Sequence, residues 1–155
     1  MADTYTQIII QLVFAVEGRQ SLISPNYQEE VNKYITGIVT NKRSKMLAIN
    51  GTPDHIHILV GLNPAQAISD LVRDIKTGSN EWMNEKRWFR EKFSWQEGYG
   101  AFSYSRSQLD RVAKYVINQP AHHAKRSFKD EYFALLRKFE IEFKDEYVFD
   151  WVEPA

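Results

Sequence analysis

Apolar positions along this chain switch between two periods, and the switches mark its elements. Residues 5–16 are rich in Ile, Val, Thr, Tyr and Phe and apolar over much of their length, which predicts a first strand fit for the middle of a sheet. Glu17-Gly18-Arg19 breaks it. Ser24-Pro25-Asn26 then supplies a helix start, and Val31, Tyr34, Ile35, Ile38 and Val39 recur at three- and four-residue spacing, so residues 25–41 read as an amphipathic helix. Residues 46–49 read as a short strand and Asn50-Gly51 as a hairpin turn, with Pro53-Asp54 stopping whatever precedes the next strand at His55. Asn63-Pro64 opens a second helix carrying Ile68, Leu71, Val72, Ile75 and Trp82 on its apolar stripe, with Gly78-Ser79 as a point of interruption or kinking. Residues 88–100 read as a structured loop and residues 101–105 as a fourth strand. Ser107 is placed as N-cap of a helix bearing Leu109, Val112, Ala113, Val116 and Ile117, which Pro120 ends or kinks. A further helix over residues 130–139 and an extended end near 147–151 complete the reading.

The order strand, helix, strand, strand, helix, strand is that of the ferredoxin-like, RRM-like split βαβ fold. The expected class is therefore α+β: an antiparallel sheet with two helices covering one face, and a C-terminal tyrosine-bearing helix over or beside the open face. Function is expected on that open face. The chain is expected to form a single domain over residues 1–155, with a core of about 5–126 and a helical extension of about 127–155.

Composition narrows the chemistry. With 43% hydrophobic and 14% aromatic residues, the 155-residue chain suits a globular protein, and no apolar run approaches the roughly 20 residues of a membrane span. No secretory leader pattern is visible, and there is no cysteine, in keeping with a cytoplasmic location. Any metal must be held by nitrogen and oxygen. The formal net charge of zero argues against a nucleic-acid partner, but the distribution does not. Between Arg106 and Arg126 there are five basic residues and one acid, whereas from Lys129 onward there are four basic and eight acidic. A phosphate backbone feels local charge, so the basic middle matters more than the total.

The stretch Thr52-Pro-Asp-His-Ile-His-Ile-Leu-Val-Gly-Leu62 concentrates the candidate chemistry. Strand side chains alternate faces, so His55 and His57 share one side while Ile56, Ile58 and Val60 share the other. Two imidazoles roughly 7 Å apart at Cα can converge on one divalent ion, or can be polar groups on a solvated sheet face. Tyr115 and Gln119 are four residues apart, so a helix presents a phenol and an amide oxygen on one face. His123 lies another four residues on, where it can replace or supplement Gln119 if Pro120 leaves the register intact.

Taken together, Pro53-Asp54-His55-Ile56-His57-Ile58-Leu59, Trp95-Gln96-Glu97-Gly98-Tyr99-Gly100-Ala101-Phe102 and Tyr115-x-x-x-Gln119 resemble the HUH endonuclease superfamily. The similarity is to the small single-tyrosine insertion-sequence transposases and their REP-associated relatives, and it extends from the first strand to about Lys138. It implies a transposase that cuts and rejoins single-stranded DNA through a 5′-phosphotyrosine intermediate, with Tyr115 as nucleophile and His55, His57 and Gln119 holding Mg²⁺ or Mn²⁺. It also implies hairpin-forming element ends as substrate and a homodimer. No general base for Tyr115 is evident from the sequence. Lys42, Arg43, Lys45, Lys76, Arg106, Arg111, Lys114, His122 and His123 are candidate DNA contacts. A non-catalytic ferredoxin-like module binding structured single-stranded DNA or RNA is the alternative, and a two-histidine phosphoesterase would lack a second His-x-His and leave Tyr115 without a role.

Overall fold

A computed structural model of the chain describes residues 2–152. Strand β1 (Ile9–Ala15) is buried along its whole length, as its two apolar faces require. It lies between β3 (His55–Gly61) and β4 (Gly100–Tyr104), and β2 (Lys45–Thr52) pairs with the outer edge of β3, giving the order β2-β3-β1-β4. All three pairings are antiparallel. This is the expected ferredoxin-like α+β architecture.

Helices α1 (Gln28–Asn41) and α2 (Ile68–Lys86) pack on each other and bury the stripes Val31, Ile35, Val39 and Leu71, Val72, Ile75, Met83. Gly78 does not interrupt α2. A Cβ there would stand 3.0 Å from Ile38 Cδ1, so the glycine serves close helix approach instead. Ser79 is likewise drawn into the core: its hydroxyl donates to the Ile75 carbonyl at 2.6 Å and accepts from Trp95 Nε1 at 2.9 Å. Ile56 and Ile58 face this side and join the same core.

The hairpin leading to the histidines turns at Pro53-Asp54 rather than at Asn50-Gly51, which lie inside β2. Proline fixes the φ of a two-residue turn and has no amide to lose there. Gly51 is still required, because a Cβ would meet the His55 carbonyl oxygen at 2.5 Å. Asn50 reaches across instead and donates from Nδ2 to the Ile117 carbonyl at 2.6 Å, tying β2 to the end of the next helix.

That helix, α3 (Leu109–Ile117), starts after a short 3-10 turn capped by Ser105, two residues earlier than expected. Its Val112 and Val116 pack with Leu59, Ile9 and Ala48 on the sheet face opposite α1 and α2. Pro120 divides the tyrosine helix from a short α4 (Gln119–His123). Helix α5 (Phe128–Lys138) follows, and Phe149 and Trp151 pack beside it against Phe128 and Tyr132. Residues 147–151 form no strand; Gln96 fastens this tail by exchanging bonds with the Asp150 backbone at 2.6 and 2.8 Å.

Candidate active site

The open sheet face is closed over by α3, α4 and α5, and the histidines are therefore not solvated. His55 and His57 are fully buried, as is Gln119. Each imidazole is held from behind. His55 Nδ1 lies 2.6 Å from Asp54 Oδ1, which also accepts from Thr52 Oγ1 at 2.8 Å. An Nδ1–H donor to a carboxylate leaves the His55 Nε2 lone pair facing the site. Hydrogen bonds from His55 and Thr52 outweigh the effect of burial on Asp54 and hold its carboxyl below the usual range. Behind His57, Gln11 Nε2 donates to Nδ1 at 2.7 Å, while Gln11 Oε1 accepts from the Tyr104 hydroxyl at 2.7 Å. Burial pulls His57 down to about 4, against the opposing pull of Glu131, so the ring is neutral near pH 7.

Glu131 of α5 stands at the centre, although nothing in the sequence singled it out. Its side chain is almost wholly buried and holds the site together through both oxygens. Oε1 lies 2.9 Å from His57 Nε2, 3.1 Å from His123 Nε2 and 3.6 Å from His55 Nε2. Oε2 accepts from Gln119 Nε2 at 3.1 Å and from the Tyr115 hydroxyl. Burial alone would raise this carboxyl, but the bonds from His123 and His57 and the neighbouring imidazoles hold it well below its ordinary value. Tyr115 moves the other way: burial, then the charge and hydrogen bond of Glu131, push the phenol above its usual pKa.

The expected residues are thus brought together by one chain. The Tyr115 ring sits 5.9 Å from that of His57, and Gln119 Oε1 points at His55 Nε2 from 3.2 Å. His123 enters by bonding Glu131, while His122 is exposed with its ring 4.9 Å from that of Tyr115. The other candidate DNA contacts divide. Arg106, Arg111 and Lys114 are exposed on or beside the tyrosine helix. Lys45 pairs with Gly61 whereas Thr52 pairs with His55, which sets Lys42, Arg43 and Lys45 about 20 Å along the hairpin from the site. Lys42 is bridged to Asp74 at 2.9 Å. Lys76 donates to the carbonyls of Gln96 and Gly98 at 2.7 and 2.6 Å and is drawn down to about 8 by burial, so it closes a loop instead of facing a strand.

The donor set fits a divalent cation. His55 Nε2, His57 Nε2 and a Glu131 oxygen lie within 4.8 Å of one another. Ligands about 2.1 Å from an ion stand roughly 3.0 to 3.4 Å apart. The separations of 2.9, 3.2 and 3.6 Å bracket that spacing. The contact between the His55 Nε2 lone pair and Gln119 Oε1 is telling. Both are acceptors, and only a proton or a cation between them relieves it.

Comparison with known proteins decides the family. The model of the IS200-like transposases matches residues 4–119. The chain belongs to the IS200-like transposase family. It is similar to the ISDra2 transposase TnpA of Deinococcus radiodurans, with 23% identity over 120 residues, covering 73% of this chain and 84% of that protein. Two solved structures share the fold. One is a Deinococcus radiodurans protein assigned as a transposase, with TM-score 0.58, 20% identity and coverage of 77% of this chain and 96% of the other. The second is a REP-associated tyrosine transposase bound to a REP hairpin, with TM-score 0.59, 14% identity and coverage of 79% and 73%. This IS200-like transposase is accordingly an HUH-type single-strand DNA endonuclease and strand transferase, and the non-catalytic reading is not favoured. Glu131 lies outside the matched span, as do His122, His123 and all of α5.

Proposed function

We propose that Tyr115 is the nucleophile of this transposase and that His55, His57, Gln119 and Glu131 hold its divalent cation. One observation carries the reading: His55 Nε2, Gln119 Oε1 and the Glu131 carboxylate converge on a common point beside the Tyr115 hydroxyl. Two imidazoles with a carboxylate and an amide oxygen suit Mn²⁺, and Mg²⁺ where nitrogen ligation is tolerated. The bound ion would polarise a scissile phosphate and offset charge building on its oxygens.

Tyr115 Oη attacks phosphorus, the bond from phosphorus to O3′ breaks, and the leaving 3′-oxygen takes a proton. The tyrosine keeps the 5′-phosphate as an ester. Reversal by a 3′-hydroxyl rejoins strands without a nucleotide cofactor, because the phosphodiester is exchanged and not hydrolysed. Glu131 orients the phenol but keeps it neutral, since a carboxylate held well below its ordinary pKa is a poor acceptor for a proton held above the usual phenolic pKa. With its charge shared with a bound cation, Glu131 would suppress ionisation of Tyr115 less.

The substrate in this reading is single-stranded DNA at hairpin-bearing element ends, the partner a second copy of the chain, and the location cytoplasmic. Residues 1–155 would act as one domain, core about 5–126 with α5 and the tail as extension. Exposed Arg106, Arg111, Lys114 and His122 lie nearest the cleaved strand, and Lys42, Arg43 and Lys45 would meet more distant phosphates. Incubation with labelled single-stranded hairpin DNA and Mn²⁺ tests the core of this. Wild type should form an adduct that survives denaturing electrophoresis, and Tyr115→Phe should not. An adduct persisting in Tyr115→Phe would remove the nucleophile from its role.

A further inference from the structure

A second cleft opens beside Tyr115. It is a pocket of about 270 Å³ between α3, α5 and the end of β4. That is room for roughly nine waters, enough for a phosphate and part of its sugar, and smaller than the pockets that take drug-sized ligands. Three cations line it, Arg111 from α3 and Arg126 and Lys138 from α5 and the turn before it, together with Tyr104, Tyr115 and the apolar side chain of Leu135.

The cations are not neutralised. None of the three has a carboxylate partner among the described residues. Arg126 makes one bond, from Nη2 to the Asp130 carbonyl at 3.3 Å, and Lys138 Nζ rests 5.8 Å from the Tyr104 ring centre. Glu131 is the acid on the wall, and its oxygens are already engaged by His57, His123, Gln119 and Tyr115. Like charges gathered round a small pocket repel unless an anion joins them.

We propose that this pocket is a phosphodiester subsite, in which Arg111, Arg126 and Lys138 seat a phosphate of the single strand adjacent to the one that Tyr115 attacks. Two of its three cations belong to the segment beyond residue 119, so the C-terminal segment serves the site twice, through Glu131 and through this cradle. The inference rests on the reading of Tyr115 as nucleophile on single-stranded DNA.

The test is fluorescence anisotropy of a labelled single-stranded oligodeoxythymidylate over a series of salt concentrations. The protein carries Tyr115→Phe so that binding is read without cleavage. Arg126→Gln/Lys138→Gln is compared with Lys33→Gln/Lys86→Gln, an equal loss of charge on the α1 and α2 side of the sheet. The subsite variant should lower the slope of log affinity against log salt by about 0.7, the contribution of the one phosphate seated there on a single strand. The control pair should leave the slope in place, and thermal melting should show both variants folded. An unchanged slope, or an equal fall in the control, overturns the subsite while leaving the function intact. Absence of any binding by the Tyr115→Phe protein overturns both.

Discussion

Glu131 and His57 stand 74 positions apart in the chain, yet a carboxylate oxygen of one lies 2.9 Å from Nε2 of the other. That single contact joins α5 to the histidine strand and brings a negative charge to a site otherwise built from neutral ligands. Glu131→Gln keeps the shape and removes the charge. Calorimetric titration with Mn²⁺ should show affinity at least about tenfold weaker, about 1.4 kcal/mol. The Tyr115 phenol should titrate lower in the metal-free variant than in wild type, because the carboxylate that raises it is gone. An unaltered Mn²⁺ affinity would show that the carboxylate is not a ligand.

Gln11 has a quieter part. Its amide donates to His57 Nδ1, which places the ring proton on Nε2, where it is donated to Glu131. A cation on Nε2 needs the opposite tautomer, with Nδ1–H donating, so the Gln11 amide must turn over and exchange roles with the Tyr104 hydroxyl. Gln11→Leu removes both arrangements and should weaken Mn²⁺ binding by about 10- to 100-fold. Gln11→Glu can only accept from Nδ1, so it should bind Mn²⁺ more tightly than wild type while melting lower without metal. Equal affinities across the three proteins would deny Gln11 this role.

Most of the sheet and half of the site were legible in the sequence, for local reasons. Period-two alternation placed His55 and His57 on one face, and the helical spacing of Tyr115 and Gln119 set the phenol beside the amide. What stayed hidden was non-local. Gln11 and Glu131 look like ordinary polar residues in a strand and an amphipathic helix, and only strand pairing and the docking of α5 bury them. The hairpin turn was misplaced because Asn50-Gly51 carries a strong local turn signal, which the pairing of β2 through Thr52 overrides. The cations show the same limit. Lys76 reads as a free charge until the loop after Trp95 folds its carbonyls onto the ammonium.

Phe128 lies flat on His55, with ring centres 3.9 Å apart and planes within 9°. It also touches Tyr132, Phe149 and Trp151, so it anchors the first turn of α5 and the tail at once. Phe128→Ala should destabilise the protein by about 3 kcal/mol, measured by urea denaturation. Phe128→Leu restores most of the volume but not the flat face, so it should recover much of the stability while His55 remains less constrained and Mn²⁺ binding weaker. If Phe128→Leu binds Mn²⁺ as wild type does, the ring serves packing alone.

Acid should unfold the metal-free protein in a defined window. His57 titrates near 4 when folded and near its ordinary 6.5 when unfolded, so between these values the unfolded chain binds a proton that the folded chain refuses. Stability is therefore complete above about pH 6.5 and lost as pH falls toward 4, by on the order of 3 kcal/mol for a fully buried ring. Asp54 and Glu131 act with the same sign at lower pH. Both are held below their unfolded values, so their contributions are present above the ordinary carboxylate range and are lost progressively as pH falls from that range toward the lowered folded values. Thermal melts in the presence of a chelator should show a melting temperature that is level above about pH 6.5 and falls below it. In His57→Gln the decline should begin only where carboxylates titrate. A wild-type curve that stays level down to the carboxylate range would mean that the His57 ring accepts a proton in the folded state, and that its burial against Gln11 and Glu131 does not exclude the charge.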